Sequence, residues 1–307
     1  MLWSQGRKKK NMIDLTILNT EGRNPNSENF SSMSIEEAVT LMNEEDLNAV
    51  KAVANAKDMI VKVIEQSSST LQKNGRIIYC GAGTSGRLGV LDAVECPPTF
   101  GVDYNTVVGL IAGGDSAFVK AKEGAEDSRE LGEQDLKGID LTKDDMVIGL
   151  AASGRTPYVI GALEYAKSLG CATAAVVCSA DSAISKLCEH TITLLPGAEI
   201  LTGSTRLKAG TATKMVLNMI STISMKSVGK IYKNYMVDVK MTNEKLRARG
   251  VNIIRTLTGC DEDKARDTLE KAENEVKTAV VMVSKDVDAF EARKLLNEAN
   301  GFIDPIL

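Results

Sequence analysis

The amino-acid sequence predicts an α/β protein in which a doubly wound, five-stranded parallel sheet is flanked by helices and followed by a small helical appendage. Five short apolar runs, each bounded by Gly, Ser or Asp, alternate with segments of helical spacing. Alternating strands and helices form parallel sheets with right-handed crossovers, and such sheets are covered on both faces, which explains runs that are apolar throughout. The expected divisions are an N-terminal extension with a first helix (1–43), a main domain (44–240) and the appendage (245–307).

Two helices are expected before the first strand. Ser34 and Glu37 have the spacing of a capping box, in which each side chain bonds the backbone amide of the other residue. From 44 to 71, apolar residues return at helical intervals, and the Asn-Gly pair at 74–75 provides a stop. We therefore expect one helix to begin at Ser34 and a second, long helix to lead into the main domain.

The five predicted strands are the buried runs of the main domain. They span residues 77–80, 107–111, 146–150, 173–177 and 191–195. Among the helices, 157–169 has the clearest ends, because Pro157 suits the first helical turn and Gly170 follows the last one. A further long helix is expected at about 205–228. Towards the C-terminal end the pattern changes to short helical pieces, with Asp261 as the cap of one of them.

Composition excludes several classes of function. With 43% hydrophobic and 25% charged residues among 307, the chain is typical of a globular protein. Its net charge of −4 leaves no basic face for nucleic acid or an anionic membrane, because such binding depends on clustered Lys and Arg. The first twelve residues hold a basic cluster without the apolar stretch of a secretory signal, and no apolar run reaches the ~20 residues of a membrane span. The six cysteines form no C-x-x-C pair and are expected to be reduced, so we expect a cytoplasmic protein whose partner is a small molecule or another protein.

A glycine-rich loop follows the first predicted strand and opens a helix. Gly83, Thr84, Ser85 and Gly86 place backbone amides and hydroxyls where an anion would gain from the helix dipole. The same glycines match the G-x-G-x-x-G pattern of dinucleotide-binding proteins, which also requires an acidic residue about 20 residues further on. The one candidate, Asp115, stands 29 residues after Gly86. A phosphate site is therefore favoured over a dinucleotide site.

A second loop of similar composition follows the third predicted strand. It contains Ser153, Gly154, Arg155 and Thr156, and it also precedes a helix. Two hydroxyl-rich loops at neighbouring strand ends suit a phosphomonoester. The alternative is that Ser153 and Thr156 only cap the helix that follows, as such residues often do.

The Gly-Thr-Ser of the first loop and the Ser-Gly-x-Thr of the second resemble the phosphate loops of the sugar isomerase domain (SIS) family. The resemblance implies a domain that binds phosphosugars, with phosphate contacts from Thr84, Ser85, Ser153 and Thr156. The aldose-ketose isomerases of that family usually carry Ser-Gln before the second Ser, whereas this chain has Ala-Ala. The phosphate cradle is thus poorer in side-chain donors, and Arg155 is the residue that would compensate.

Over longer stretches the chain resembles the N-acetylmuramic acid 6-phosphate etherases. That resemblance implies cleavage of a lactyl ether by elimination followed by addition of water, without a metal or an organic cofactor, by a homodimer. It extends from Thr20 to Ile303. The motifs that carry it lie at 20–24, 81–100, 123–129, 151–159 and 202–211.

Ether cleavage needs an acid to protonate the departing oxygen and a base for the proton on the carbon next to the open-chain aldehyde. The resemblance implies that Glu95 is the general acid and that Glu126 is a second essential carboxylate. Pro97 and Pro98 are expected to end the helix that begins near Ser85, which puts Glu95 at its carbonyl end, where the helix dipole disfavours a negative charge.

The spacing along this helix raises a geometric difficulty. Ten residues separate Ser85 from Glu95, or roughly 15 Å at 1.5 Å per residue, which is more than a hexose spans. Two hypotheses resolve it. Either the helix breaks early, near Gly89, or Glu95 serves the phosphate site of a partner subunit.

The other candidate residues have plain alternatives. Glu126 lies among acidic and basic residues on a predicted helix, which is what any solvated face looks like. Ser204, Arg206 and Lys208 stand at another helix start, where they could hold the phosphate or the lactyl carboxylate, or form an ordinary basic helix end. The single histidine, His190, is away from both phosphate loops and is expected to be structural.

Two other functions were weighed against an etherase. The first is a non-catalytic phosphosugar sensor like the glucokinase regulatory protein, which resembles the etherases but is much longer and carries a second sugar isomerase domain. A chain of 307 residues has no room for that domain. The second is an aldose-ketose isomerase, which the Ala-Ala pair before Ser153 and the absence of a histidine suited to ring opening disfavour.

Overall fold

The computed structural model describes residues 19–120, 122–180, 182–241 and 243–307. The basic cluster of the first twelve residues lies outside these ranges. Within them no helix is long and apolar enough to cross a membrane. The chain forms eleven helices and seven strands over the described ranges, together with short 3₁₀ turns.

The N-terminal part packs as two helices, α1 (Ile35–Asn55) and α2 (Lys57–Gln72). The capping box is confirmed, since the Ser34 hydroxyl accepts from the Glu37 amide and the Glu37 carboxylate accepts from the Ser34 amide, at 3.3 and 2.7 Å. The prediction of one long helix from 44 to 71 is wrong, because one helix ends at Asn55 and the next begins at Lys57, with Ala56 between them. The apolar stripe continues across that break, so periodicity alone could not reveal it.

The predicted five-stranded parallel sheet is confirmed. Its strands lie in the order β2-β1-β3-β4-β5, and every pair is parallel. β1 therefore lies between β2 on one side and β3 on the other. The strands are β1 (Ile77–Gly81), β2 (Val107–Ile111), β3 (Met146–Ala151), β4 (Ala172–Val177) and β5 (His190–Thr193).

Helices cover both faces of the sheet, as the doubly wound class requires. One apolar core joins one face to α1, α2, α3 and α7, and the other core joins the opposite face to α5 and α6. The ends predicted for α6 are confirmed, with Pro157 in its first turn and Gly170 left-handed beyond its last. The helices are α3 (Gly83–Phe100), α4 (Ser116–Val119), α5 (Arg129–Gly138), α6 (Pro157–Leu169) and α7 (Lys208–Lys226).

Helix α3 corrects two expectations. Pro97 and Pro98 lie inside it rather than ending it, and it stays helical through Gly89. The last turn persists because the Gly101 amide donates to the Pro97 carbonyl at 3.0 Å and because Phe100 is buried in the core. Gly101 then ends the helix in the left-handed conformation, at φ +68°.

The C-terminal part has its own apolar core, whose members run from Tyr232 to Ile303. A two-stranded hairpin of β6 (Ile231–Tyr232) and β7 (Tyr235–Met236) precedes four helices. The predicted cap at Asp261 is confirmed, because its carboxylate accepts from the Lys264 amide at 2.8 Å. The helices are α8 (Glu244–Thr258), α9 (Glu262–Lys271), α10 (Val276–Lys285) and α11 (Ala289–Glu298).

Candidate active site at the carboxyl edge of the sheet

The two predicted phosphate loops leave adjacent strands at the same edge of the sheet. β1 and β3 pair directly, with Gly81 opposite Leu150, so the loops begin about one strand spacing apart, or ~4.8 Å. The turn from β1 into α3 is tight, since a Cβ atom on Gly86 would lie 2.6 Å from the Gly81 carbonyl oxygen. Only glycine fits there, which explains the glycines of this loop without a dinucleotide.

The first loop presents the open end of α3. The residue before the helix is Ala82, which has no side chain to cap the first amides. The amides of Gly83, Thr84 and Ser85 therefore carry the partial positive charge of an uncapped helix start. Thr84 and Ser85 are half-buried beside them. This is the arrangement that binds a phosphate group in many proteins.

The second loop packs against the segment that follows β4. Gly154 has φ +65°, and a Cβ atom there would lie 2.0 Å from Cβ of Ser182. The Gly154 carbonyl accepts from the Ile184 amide at 3.1 Å, and the hydroxyls of Ser182 and Ser185 are hydrogen-bonded to each other. The conformation of the Ser153–Thr156 turn is thus set by direct contact with the 182–185 segment.

Helix capping does not account for the hydroxyls of this loop. Thr156 is the residue before α6, yet its side chain makes no capping hydrogen bond. The Ser153 hydroxyl accepts from the Arg155 amide at 3.3 Å, within the loop and not from the helix. By contrast Ser128 does cap α5, accepting from the Leu131 amide at 3.1 Å. The hydroxyl of Thr156 is left available to a ligand.

A third loop, residues 198–207, leads into α7 and carries Ser204. The start of α7 lies against the first loop, since a Cβ atom on Gly210 would be 3.7 Å from Cγ2 of Thr84. Ser204 is half-buried and Arg206 is exposed. On the other side of this loop, a carboxylate oxygen of Glu21 is 3.0 Å from the position of a Cβ on Gly203. The 20–24 motif therefore borders the Ser204 loop, a contact that could not be predicted from residues so far apart in the chain.

The hypothesis that Lys208 binds substrate is wrong. Its side chain is 2% exposed and donates to the Glu45 carboxylate and to the Ala198 carbonyl. The start of α7 is also occupied, because the buried Glu199 carboxylate accepts from the amides of Lys208 and Ala209 at 3.0 and 2.9 Å. Of the two basic residues proposed for this helix start, only Arg206 faces solvent.

Glu126 lies on the connection that leaves β2, the other neighbour of β1. It belongs to a 3₁₀ turn, Ala125–Asp127, that precedes α5, so the expectation that it lies on a helix is wrong. Gly124, at φ +77°, turns the chain just before it. Glu126 is exposed. The turn packs against α6, which starts at the second phosphate loop.

Glu95 is not brought to the phosphate loops of its own chain. Because α3 is unbroken between Ser85 and Glu95, the separation of roughly 15 Å stands, and the hypothesis of a break near Gly89 is wrong. Glu95 is exposed, and on the same side of the helix Leu91 and Val94 are 43% and 47% exposed. The carboxylate thus stands within an apolar, solvent-facing stripe.

A buried polar cluster lies one turn before Glu95. Oδ1 of Asp92 accepts from Asn218 at 2.6 Å and from Ser221 at 3.2 Å, which ties α3 to α7. Burial raises the pKa of Asp92, and the hydrogen bonds from Asn218 and Ser221 offset only part of that effect. Sequence analysis did not identify Asp92, because its partners are 126 and 129 residues away.

Among the described residues, no group of three or more His, Cys, Asp and Glu side chains is arranged to hold a metal ion. His190 begins β5 and is half-buried at the edge of the sheet, away from β1 and β3. The polar groups assembled at the carboxyl edge are therefore hydroxyls, backbone amides, Arg155 and Arg206, with Glu126 at the β2 side.

Three family models match the chain. The model of the N-terminal SIS domain of glucokinase regulatory protein matches residues 58–167, and the general SIS domain model matches residues 131–223. The model of the C-terminal lid domain of glucokinase regulatory protein matches residues 233–290.

Curated relatives match over almost the whole chain. A protein of Francisella philomiragia named N-acetylmuramic acid 6-phosphate etherase is 56% identical over 292 residues, which cover 95% of this chain and 99% of the relative. A protein of the same name from Bacillus cereus is 55% identical over 293 residues, covering 95% and 100%. Among solved structures, phosphoheptose isomerases from Neisseria gonorrhoeae and Francisella tularensis are each 16% identical, with TM-scores of 0.48 and 0.46, over 62% and 63% of this chain and 98% and 100% of theirs.

Proposed function

Because this chain belongs to the N-acetylmuramic acid 6-phosphate etherase family, we propose that it cleaves the D-lactyl ether of N-acetylmuramic acid 6-phosphate, giving N-acetylglucosamine 6-phosphate and D-lactate. The proposed role is the recovery of cell-wall amino sugars. The observation that carries the proposal is the pair of hydroxyl-rich loops on the adjacent strands β1 and β3, at the edge where this fold class binds ligands. The alternative of a non-catalytic sensor has less support, since etherases match over 95% of the chain.

The phosphate group is proposed to lie between the two loops. The open start of α3 supplies the amides of 83–86 with the hydroxyls of Thr84 and Ser85. The second loop supplies Ser153, the Gly154 backbone, Arg155 and the hydroxyl of Thr156, which does not cap α6. Ser204, on the loop that leads into the helix start beside Thr84, would contact the sugar from the third side.

The chemistry follows from the bond that is broken. In the open-chain sugar the aldehyde makes the proton on carbon 2 acidic, and a carboxylate removes it as a general base. The electron pair left behind expels the ether oxygen from carbon 3, and a carboxylic acid protonates that oxygen so that lactate leaves as an alcohol. Water then adds to carbon 3 of the unsaturated aldehyde, and the carbon 2 position regains a proton. We propose Glu95 as the general acid and Glu126 as the second essential carboxylate.

A homodimer resolves the distance between Glu95 and the phosphate loops. The exposed stripe of Leu91 and Val94 around Glu95 is apolar, and a second stripe lies on α1, where Ile35 and Val39 are 86% and 62% exposed. Apolar stripes of this kind are what an isologous interface covers. We propose that a second copy of the chain covers these faces and that each Glu95 enters the site of its partner.

Mixed dimers test this arrangement. A Glu95→Gln chain is co-expressed with a chain whose phosphate loop is disabled by Thr84→Val and Ser85→Ala, each with its own purification tag. If sites are shared, one of the two sites in every mixed dimer is intact, so about a quarter of wild-type activity returns in a random mixture. If each site belongs to one chain, the mixture shows only the activity of the two parental homodimers.

Isotopes test the reaction itself. In oxygen-18 water, elimination leaves the original ether oxygen in lactate, so the released lactate is expected to be unlabelled. In deuterium oxide, the product sugar is expected to gain one deuterium at carbon 2, because that position loses and regains a proton. Labelled lactate, or a carbon 2 position without deuterium, contradicts the elimination route. Wild type is compared with Glu95→Gln and Glu126→Gln, both of which are expected to release no lactate.

The proposed location is the cytoplasm. All six cysteines are free thiols, and four of them are buried within the apolar cores. Free thiols persist in reducing compartments, where disulfides are rare. Fractionation of the producing cell, followed with an antibody and a cytoplasmic marker, tests this location.

A further inference from the structure

We infer that Glu45 and Lys208 are positioning residues, which hold the 198–207 loop and the start of α7, the latter lying beside the first phosphate loop, and thereby set the affinity for the sugar phosphate. The inference rests on the proposed function of that site. Among the described residues, neither side chain makes a hydrogen bond to either of the two phosphate loops. Both act through the main chain and through the N-terminal segment.

Glu45 is the hub of a buried polar network. It lies on α1 and is 7% exposed, and its carboxylate accepts from Lys208, from Asn24 at 2.9 Å and from Asn26 at 2.8 Å. Burial acts to raise the pKa of Glu45, but the hydrogen bonds from Lys208, Asn26 and Asn24 outweigh burial and leave the pKa below its usual value. The carboxylate is therefore ionised at neutral pH, and both of its oxygens accept hydrogen bonds.

The donors of this network also hold the first residues of the 198–207 loop. The Ala198 carbonyl accepts from Lys208 Nζ at 2.7 Å and from Asn24 at 3.0 Å. Two residues on, the Ile200 carbonyl accepts from the Ser27 hydroxyl at 2.8 Å. The loop is thus fastened to the 24–27 segment at alternate residues.

The far end of the loop is fastened through Glu199. Its carboxylate bonds the first two amides of α7, so the residue between the two anchored carbonyls also caps the helix that the loop enters. A loop anchored at both ends has few conformations left. Gly203 lies beside Glu21, and Gly210, in the helix that the loop enters, lies beside Thr84.

A buried ion pair is not needed for stability alone. An apolar pair of similar volume in the same place is often as stable or more stable, because taking two charges out of water is costly. What the ion pair supplies and an apolar pair does not is a donor for the Ala198 carbonyl and an acceptor for Asn24. These contacts therefore indicate that the role of the ion pair is to hold the 198–207 loop in place.

The test replaces the pair by apolar residues, Glu45→Leu with Lys208→Met. The matched control makes the same kind of change in a second, partly buried ion pair of the domain, Arg76→Met with Asp145→Leu, whose atoms are 2.7 Å apart. Arg76 precedes β1 and Asp145 precedes β3, so the control lies at the amino edge of the sheet, opposite the loops. Each protein is assayed for lactate release and, by calorimetry, for binding of N-acetylglucosamine 6-phosphate.

The variant at Glu45 and Lys208 is expected to keep the fold, to raise both KM and the product Kd about tenfold or more, and to change kcat less than about threefold. The control is expected to leave KM and Kd within about twofold of wild type, whatever it does to the melting temperature. Unchanged KM and Kd in a folded Glu45/Lys208 variant would overturn the inference, as would equal rises in both variants. If wild type binds the product but releases no lactate, the proposed function is wrong, and the two Kd values still decide the inference.

Discussion

Replacing Lys208 by methionine removes the cation from the buried ion pair and leaves the Glu45 carboxylate in place. Methionine matches the length of the lysine stem and fills most of its volume, so the change creates little cavity. What remains is an ionised group, 7% exposed, that has lost its charged partner and keeps the side-chain amides of Asn24, Asn26 and, at 3.5 Å, Asn48. The substitution thus isolates the energetic cost of an unpaired buried charge.

The magnitude follows from the burial. Removing one partner of a buried ion pair costs about 3–5 kcal/mol, because the remaining charge is desolvated without compensation. Unfolding entropy near 60 °C is about 2.1 cal/mol/K per residue, or roughly 0.65 kcal/mol/K for 307 residues. The expected fall in melting temperature is therefore about 5–8 °C.

The loss should depend on pH in a defined direction. In wild type the pKa of Glu45 is below its usual value, so the group contributes stability above that usual value and loses it as the pH falls through the folded pKa. In Lys208→Met the cation no longer offsets the effect of burial, so the pKa of Glu45 rises. Protonation of Glu45 at acid pH then removes the unpaired charge and restores part of the stability of the variant. The gap between wild type and variant should be widest near pH 8 and should narrow towards about pH 5.

Thermal unfolding followed by circular dichroism at about pH 8, 6.5 and 5 measures this gap. The double variant with Glu45→Leu serves as the control, since it removes both charges and should recover most of the lost melting temperature. A gap below about 1 °C at pH 8, or one of the same size at all three pH values, would refute the reasoning, because an unpaired buried carboxylate must respond to protonation.

Three further changes test other parts of the structure. Gly154→Ala forces a left-handed residue and a contact 2.0 Å from Cβ of Ser182, so it should raise KM for the sugar phosphate at least tenfold, measured by lactate release, whereas an unchanged KM would show that the loop tolerates another conformation. Asp92→Asn keeps the acceptor for Asn218 and removes a carboxylate whose pKa burial raises. Because a raised pKa means that the stability from this group is present below its usual pKa and is lost as the pH rises through the folded pKa, the advantage of the variant over wild type in urea should be larger at about pH 8 than at about pH 4, and an advantage that is no larger at about pH 8 would contradict this account. Burial raises the pKa of the Cys178 thiol to about 12, so this residue should stay unmodified by a thiol reagent at pH 8 in the native protein and react once urea is added, as peptide mapping would show.

Much of the fold could be predicted because its signals are local. The strands are continuous apolar runs between turn residues, and α6 has Pro157 at one end and Gly170 at the other. The proximity of the two phosphate loops could also be predicted, since both follow strands of one parallel sheet. The positions that determine these features lie within a few residues of the features themselves.

Two of the failures have a different origin, since they depend on contacts that are distant in sequence. Pro97 and Pro98 are tolerated inside α3 because Phe100 is held in the core by residues of other elements. Lys208 resembles a surface cation until Glu45, 163 residues earlier, is brought to it. The same limit applies to the candidate site, because in the proposed arrangement Glu95 reaches a phosphate group only through a second copy of the chain, which its local sequence does not reveal.

The packing of α1 and α2 against α7 has a consequence for the time at which the protein can finish folding. Glu45 is synthesised 163 residues before its partner, and at about 5–20 residues per second the ribosome needs roughly 8 to 33 s to cover that distance. For that interval the apolar sides of α1 and α2 have no α7 to cover them. The nascent chain therefore carries two amphipathic helices without their α7 partner for about half of its synthesis, and during that time their apolar sides are open to association with other chains.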